Sequence, residues 1–133
     1  MVLSGAALAA GVMLTAAQQA MPIGNAQAGL WEISGLPGSK VPVRQCVSNL
    51  TALAEFEHRG KACTAKIIHK TATSVVLQYS CGAAGFGRSQ VDVLTPRSLR
   101  IDTQGISNQL PFGYILQARR VDDCPARPSP PVH

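Results

Sequence analysis

Cys46, Cys63, Cys81 and Cys124 are the residues of this chain whose type and spacing bear most directly on chemistry. Cysteines can ligate metal, exchange electrons or cross-link. A zinc ribbon or finger needs close C-x2-C pairs, and these four are too dispersed. A thioredoxin-like redox site needs C-x-x-C, which is absent as well. Cross-linking remains. An even number of cysteines in a short chain suits two disulfides, with three connectivities open.

The other reactive types have little support. His58 lies near the end of a predicted helix, where a cation suits the dipole. His69 sits beside a predicted turn, and His133 is terminal. None has a Ser, Cys or carboxylate partner in sequence, so each reads as structural or solvated. Ser48 and Ser107 lack a G-x-S-x-G setting. Asp122 and Asp123 are adjacent acids without further ligands and read as a solvated strand end. Glu32 could make a glycosidase-like pair with Glu55 or Glu57 only if the fold brought them together. "GAAGFG" does not join a strand to a helix, so it reads as a flexible loop and not a phosphate cradle. No catalytic residue, metal site or cofactor is expected, and the chain does not read as an enzyme.

The elements that must position these residues are mostly strands. The segment "CTAKIIHKTATSVVLQYSC", folded about Ala72, reads as a hairpin. Cys63 then faces Cys81, Ala65 faces Tyr79, Ile67 faces Leu77 and His69 faces Val75. On the other face Thr64, Lys66 and Ile68 meet Ser80, Gln78 and Val76. Directly opposed Cα atoms are roughly 4.5–5.5 Å apart, a separation a disulfide tolerates. Apolar alternation and cysteine pairing support the same register. Cys63–Cys81 is therefore expected, and Cys46–Cys124 follows by elimination. On the chain-entropy model the short and long loops contribute roughly 3 and 4.5 kcal/mol.

"GLWEIS" alternates as a strand, and "VPVRQC" reads as an edge strand because Pro42 cannot donate to a ladder. In "SNLTALAEFEHRG", Leu50, Leu53 and Phe56 fall at helical spacing. That predicts a helix near Ser48–Gly60, capped by Ser48 and ended by Gly60. Folding "SQVDVLTPRSLRIDT" about Pro96 pairs Val93 with Leu99, Val91 with Ile101 and Asp92 with Arg100. "QGISNQLP" reads as a loop. "FGYILQARRV" is a last strand with Tyr114, Leu116 and Ala118 on one side. The sum is a curved antiparallel meander of six or seven strands, mainly β with one short helix, curling round that helix or closing towards a small barrel.

Two ends fall outside this unit. Residues 1–31 contain no charged side chain, and Val2 to Ala17 forms an apolar run of signal-peptide length. It is short and Ala-rich for a transmembrane helix. Residues 1–28 are read as an export leader, cleaved between about Ala17 and Ala28. Residues 29–124 are read as one β domain, and the proline-rich 125–133 as a disordered tail. The net charge of +5 lies wholly after the leader. Arg88, Arg97, Arg100, Arg119 and Arg120 concentrate in the second half and form a candidate face for an anionic ligand. Nucleic acid is not expected, because basic and aromatic residues do not interleave.

The ordered set "GLWEIS", "QCVSNL", "CTA", "YSCG" and "ARRVDDCP" resembles the bacterial family called domain of unknown function 3617, over roughly residues 29–125. The stretch between Gly29 and Cys46 is shorter than in many members. The resemblance implies a small exported, disulfide-bonded β domain in a Gram-negative periplasm, and it brings no catalytic residues. The expectation is a monomeric, non-enzymatic binding or stress-related envelope protein, not integral to the membrane. Its partner would be an anionic glycan, lipid or protein, or an apolar ligand. The alternative is an inhibitor of a lysozyme-like enzyme, against which the basic charge argues.

Overall fold

Apolar residues recurring at every second position give this chain its strands, and they turn those residues to one side of a sheet. The computed structural model describes residue 11 and residues 26–126. Its strands are β1 (Gly29–Ser34), β2 (Val43–Val47), β3 (Thr64–Lys70), β4 (Ser74–Ser80), β5 (Gly85–Thr95), β6 (Ser98–Ser107) and β7 (Leu110–Asp122). All pair antiparallel in one sheet of order β2-β1-β7-β6-β5-β4-β3. The sheet stays open, with β2 and β3 as edges, and does not close into a barrel.

One face carries Trp31, Ile33, Leu77, Val91, Leu99, Ile101, Leu116 and Ala118, all buried. Leu50, Leu53, Ala54 and Phe56 from the helical segment belong to the same apolar cluster. Each large side chain so buried contributes about 1.5–3 kcal/mol. Ala26 also joins this cluster, the Gln27 amide donates to the Pro96 carbonyl, and the Ala28 carbonyl accepts from Arg120. Residues 1–10 and 12–25 of the expected leader and residues 127–133 of the expected tail lie outside the described residues.

The helical segment is shorter than its periodicity predicts. Only α1 (Thr51–Ala54) is α-helical, and a 3₁₀ turn follows at Phe56–His58. Ser48 does not cap it; Asn49 Oδ1 instead accepts from the Thr51 amide at 3.0 Å. Glu55 breaks the helix at φ −102° and ψ 23°. A helix this short has little cooperativity of its own, so packing of its apolar residues holds it in place. Gly60 does take the expected left-handed conformation, at φ 79°.

Three turns also differ from expectation. β3 and β4 pair as predicted from Thr64↔Ser80 to Ile67↔Leu77, but a bulge then sets His69 against Val76. The extra residue, Ile68, shifts the tip of the hairpin. "QGISNQLP" is not a loop: β6 and β7 continue through it to a two-residue turn. Asn108 and Gln109 adopt φ 49° and 68° there, the left-handed pair a tight hairpin requires. "GAAGFG" divides into a 3₁₀ turn at Gly82–Ala84 and the start of β5. The β5–β6 hairpin matches its predicted register, with Val93↔Leu99, Val91↔Ile101 and Asp92↔Arg100.

Disulfides join Cys63 to Cys81 and Cys46 to Cys124. The first pair extends the β3–β4 ladder one residue beyond Thr64↔Ser80. The second ties edge strand β2 to the residues just after β7. Two such bridges point to an oxidising, non-cytoplasmic compartment. Among the described residues, no helix is long and apolar enough to cross a membrane.

Candidate binding groove on the outer face

The face of the sheet turned away from α1 carries the polar half of each strand's alternation. Across four strands the register aligns Lys66 (β3), Gln78 (β4), Arg88 (β5) and Gln104 (β6) in one row. A second outward row holds Thr64, Ser80, Phe86 and Ile106. Two residues of strand separate the rows, roughly 6.6 Å. Gly87 and Gly105 occupy the intervening, inward positions on β5 and β6. The rows line an open groove of about 770 Å³.

Both glycines are required by close approach. A Cβ on Gly105 would stand 2.1 Å from the Phe86 carbonyl oxygen, and one on Gly87 would stand 2.4 Å from the Tyr79 hydroxyl. The Phe86 carbonyl is backbone and cannot withdraw without moving the strands, whereas the clash at Gly87 falls on the Tyr79 side chain. Any other residue at Gly105 would push β5 and β6 apart beneath the groove, and one at Gly87 would displace the Tyr79 ring.

Behind the groove lies a buried polar network that sequence reasoning missed. His58 is only 3 % exposed. Its Nε2 lies 3.0 Å from the Ile106 carbonyl oxygen and its Nδ1 lies 3.1 Å from the Tyr79 hydroxyl. A carbonyl can only accept, so Nε2 carries the proton and Nδ1 accepts from Tyr79. Burial pushes the Tyr79 phenol up to about 12; the charges of Glu55 and Glu57 add to this, and the Thr103 hydroxyl opposes it. Ser89 Oγ, fully buried, lies 2.5 Å from the Ala54 carbonyl and 2.8 Å from Thr103 Oγ1. Together these bonds hold α1 and its 3₁₀ turn against the sheet. Every fully buried side-chain nitrogen and oxygen among the described residues has a partner. Ser89 and Thr103 fall at inward positions of alternating strands, a signal present in the sequence. His58 gives no such signal, because only the packing of the 3₁₀ turn buries it.

Of the five arginines of the expected face, Arg88, Arg100 and Arg119 share the outer side of the sheet but differ in what they engage. Arg100 pairs with Asp92 and Asp102 at 3.6 and 4.0 Å. Arg119 pairs with Glu32 at 3.2 Å. Arg120 donates to Asp123 and to the Ala28 carbonyl, and its side chain is only 10 % exposed. Arg97 is exposed in the β5–β6 turn. Only Arg88 reaches the groove, alongside Lys66, which the sequence reading passed over. Neither side chain has a hydrogen-bond or ion-pair partner among the described residues, and the Gln78 and Gln104 amides have none either.

The remaining candidates stay apart. Glu32 points outward from β1 and is held by Arg44 and Arg119. Glu55 and Glu57 lie on the helical segment packed against the other face, so the sheet separates the suspected pair. A second cleft, of about 960 Å³, brings Glu57, Arg59 and Tyr114 together. There Tyr114 donates to Glu57 through a very short hydrogen bond. Burial, the bond itself and the carboxylate charge all push that phenol above its ordinary range. Glu57 is occupied in holding Tyr114, and Arg59 stacks 4.4 Å over Phe56 while donating to the Phe56 carbonyl. Burial raises Glu55, against a smaller opposing effect of His58. His69 is exposed on edge strand β3, and His133 lies outside the described residues. Asp122 caps the Asp123 amide at 2.8 Å. No group of three or more metal-ligating side chains occurs among the described residues.

Compared with known proteins, the chain matches no family model, no curated protein and no solved structure.

Proposed function

We propose that this protein is a non-enzymatic binding domain of the cell envelope, with its ligand held in the outer-face groove. The observation that carries this is the row Lys66–Gln78–Arg88–Gln104. It consists of two cations and two amides that have no partner among the described residues. Elsewhere on this face, Arg100 and Arg119 are neutralised by carboxylates. Exposed charge facing an open groove, with Phe86 on its wall, suits an anionic or amphipathic ligand. The periplasm is the compartment proposed, supported by the two disulfides, the apolar leader and the motifs resembling the domain of unknown function 3617 family.

A non-enzymatic role is favoured by the second cleft. Its carboxylate and phenol are bonded to each other, and the phenol is held protonated, so the pair is committed to holding the cleft together. We place leader cleavage before Ala26, because Ala26, Gln27 and Ala28 pack against or bond to the sheet. N-terminal sequencing of the exported protein checks this, and a first residue after Ala28 would contradict it.

The function is tested by passing envelope extract over the immobilised protein. Salt-sensitive retention of an envelope component is expected, and it should be lost when Lys66 and Arg88 are both replaced by Gln. Retention that ignores both salt and this double replacement would overturn the groove assignment.

A further inference from the structure

The groove's own pattern narrows the class of ligand. Adjacent strands are spaced about 4.8 Å apart, so Lys66 and Arg88, two strands apart, are separated by roughly 9.6 Å at the backbone. An amide stands between them and another beyond Arg88, giving cation, amide, cation, amide across β3 to β6. This row runs at right angles to the strands. It therefore does not resemble a slot for a peptide added to the sheet edge, which would run parallel to β3. The nearest carboxylate on the neighbouring row, Asp102, is engaged by Arg100. One row to the other side, the Phe86 ring is 56 % exposed and free of aromatic partners among the described residues.

We infer that the groove binds a linear anionic oligosaccharide, laid across the strands with one anionic group at Lys66 and another at Arg88. The inference rests on the groove assignment proposed above. The two cations stand about one disaccharide apart, so acids two units apart on a polyuronate chain can meet both. Gln78 supplies a donor and an acceptor for the hydroxyls between the two cations, Gln104 does so beyond Arg88, and Phe86 offers a flat apolar surface to a sugar ring. A lipid is disfavoured because its acyl chain needs an enclosed apolar cavity. This groove is open, with cations and amides along one wall.

Three probes test it by calorimetry and by amide NMR shifts on the intact chain: tetragalacturonate, neutral cellotetraose, and vesicles of equimolar phosphatidylglycerol and phosphatidylcholine. Tetragalacturonate should bind and shift the amides of Gln78, Arg88 and Gln104. Cellotetraose should bind on the order of tenfold more weakly, and the K66Q/R88Q protein should lose on the order of tenfold for tetragalacturonate. Phe86→Ala should weaken tetragalacturonate by roughly threefold while leaving the salt dependence intact. Vesicle binding at these residues without tetragalacturonate binding would overturn the glycan inference and leave the anion-binding groove standing. Tetragalacturonate binding unchanged in K66Q/R88Q would overturn the placement. Silence from all three probes at the groove would remove both the inference and the reading beneath it. All the replaced side chains are exposed, so the variants retain the fold.

Discussion

The two faces of the sheet use the same strands for opposite ends. Towards α1, each strand presents Leu, Ile, Val or Trp, and its few polar groups are bonded to one another. Away from α1, the same strands present Glu, Arg, Lys and Gln, some paired and some left free. The disulfides divide in the same way. Cys81 is buried in the apolar cluster with Cys63 packed against it, while Cys46 is exposed and lies opposite Leu30 on the outer side. The inner face thus carries stability, and the outer face leaves Lys66 and Arg88 without partners among the described residues. A stable domain can leave charges unengaged on one side only because the other side already supplies its cohesion.

The largest effect should come from the inner face. Trp31 is fully buried, and Trp31→Ala should cost about 3–5 kcal/mol in denaturant unfolding. A cost below about 1 kcal/mol would show that the face is not the cohesive one.

The bridges come next. Cys124→Ser should cost about 2–5 kcal/mol, because it opens a connection of 78 residues. Replacing Cys63 and Cys81 together should cost less, since that bridge spans 18 residues and the β3–β4 ladder already closes the loop. Thermal unfolding of the two variants ranks them, and the reverse order would mean that the hairpin depends on its staple.

The buried network predicts alkaline sensitivity. The Tyr79 phenol titrates near 10.0 when unfolded and at about 12 when folded. The folded state therefore holds this proton more tightly. The stabilisation is fully present below pH 10 and disappears as pH rises through 12. Tyr79→Phe should flatten the fall in stability across that window, as read from denaturant midpoints against pH. An unchanged slope would place the sensitivity elsewhere.

Glu55 should show the opposite pH sign to a salt-bridged acid. Its folded carboxyl titrates above 4.5 because burial disfavours its charge. Its contribution is most favourable in acid and declines as pH rises. Glu55→Gln should therefore raise the melting temperature at neutral pH and leave it unchanged below about pH 4. A rise that persists in acid would point to packing instead of charge.

The smallest effects belong to the outer face. Asp92→Ala should cost roughly 0.2–1 kcal/mol through its cross-strand partner Arg100. The K66Q/R88Q pair should shift stability by less than about 0.5 kcal/mol while abolishing ligand retention. That separation of stability from binding is the sharpest check on the comparison.

Alternation along each strand and the cysteine spacing were enough to specify strands, inner residues, the β5–β6 register and the bridge across the β3–β4 hairpin. These depend on local period and on pairs close in sequence, which the chain displays directly. Four outcomes needed the assembled sheet. Packing of the apolar cluster cut the helix to Thr51–Ala54. A bulge at Ile68 moved the hairpin tip. Contacts from β4 and β6 buried His58. Lys66 and Arg88 came into one row only because β4 lies between β3 and β5. Cationic composition was visible in the sequence, but which cations remain unpaired was not, since an arginine is neutralised by whatever carboxylate the neighbouring strand places beside it. Pairing between strands is a property of register across the whole sheet, and that register is set when all seven strands bury one face together.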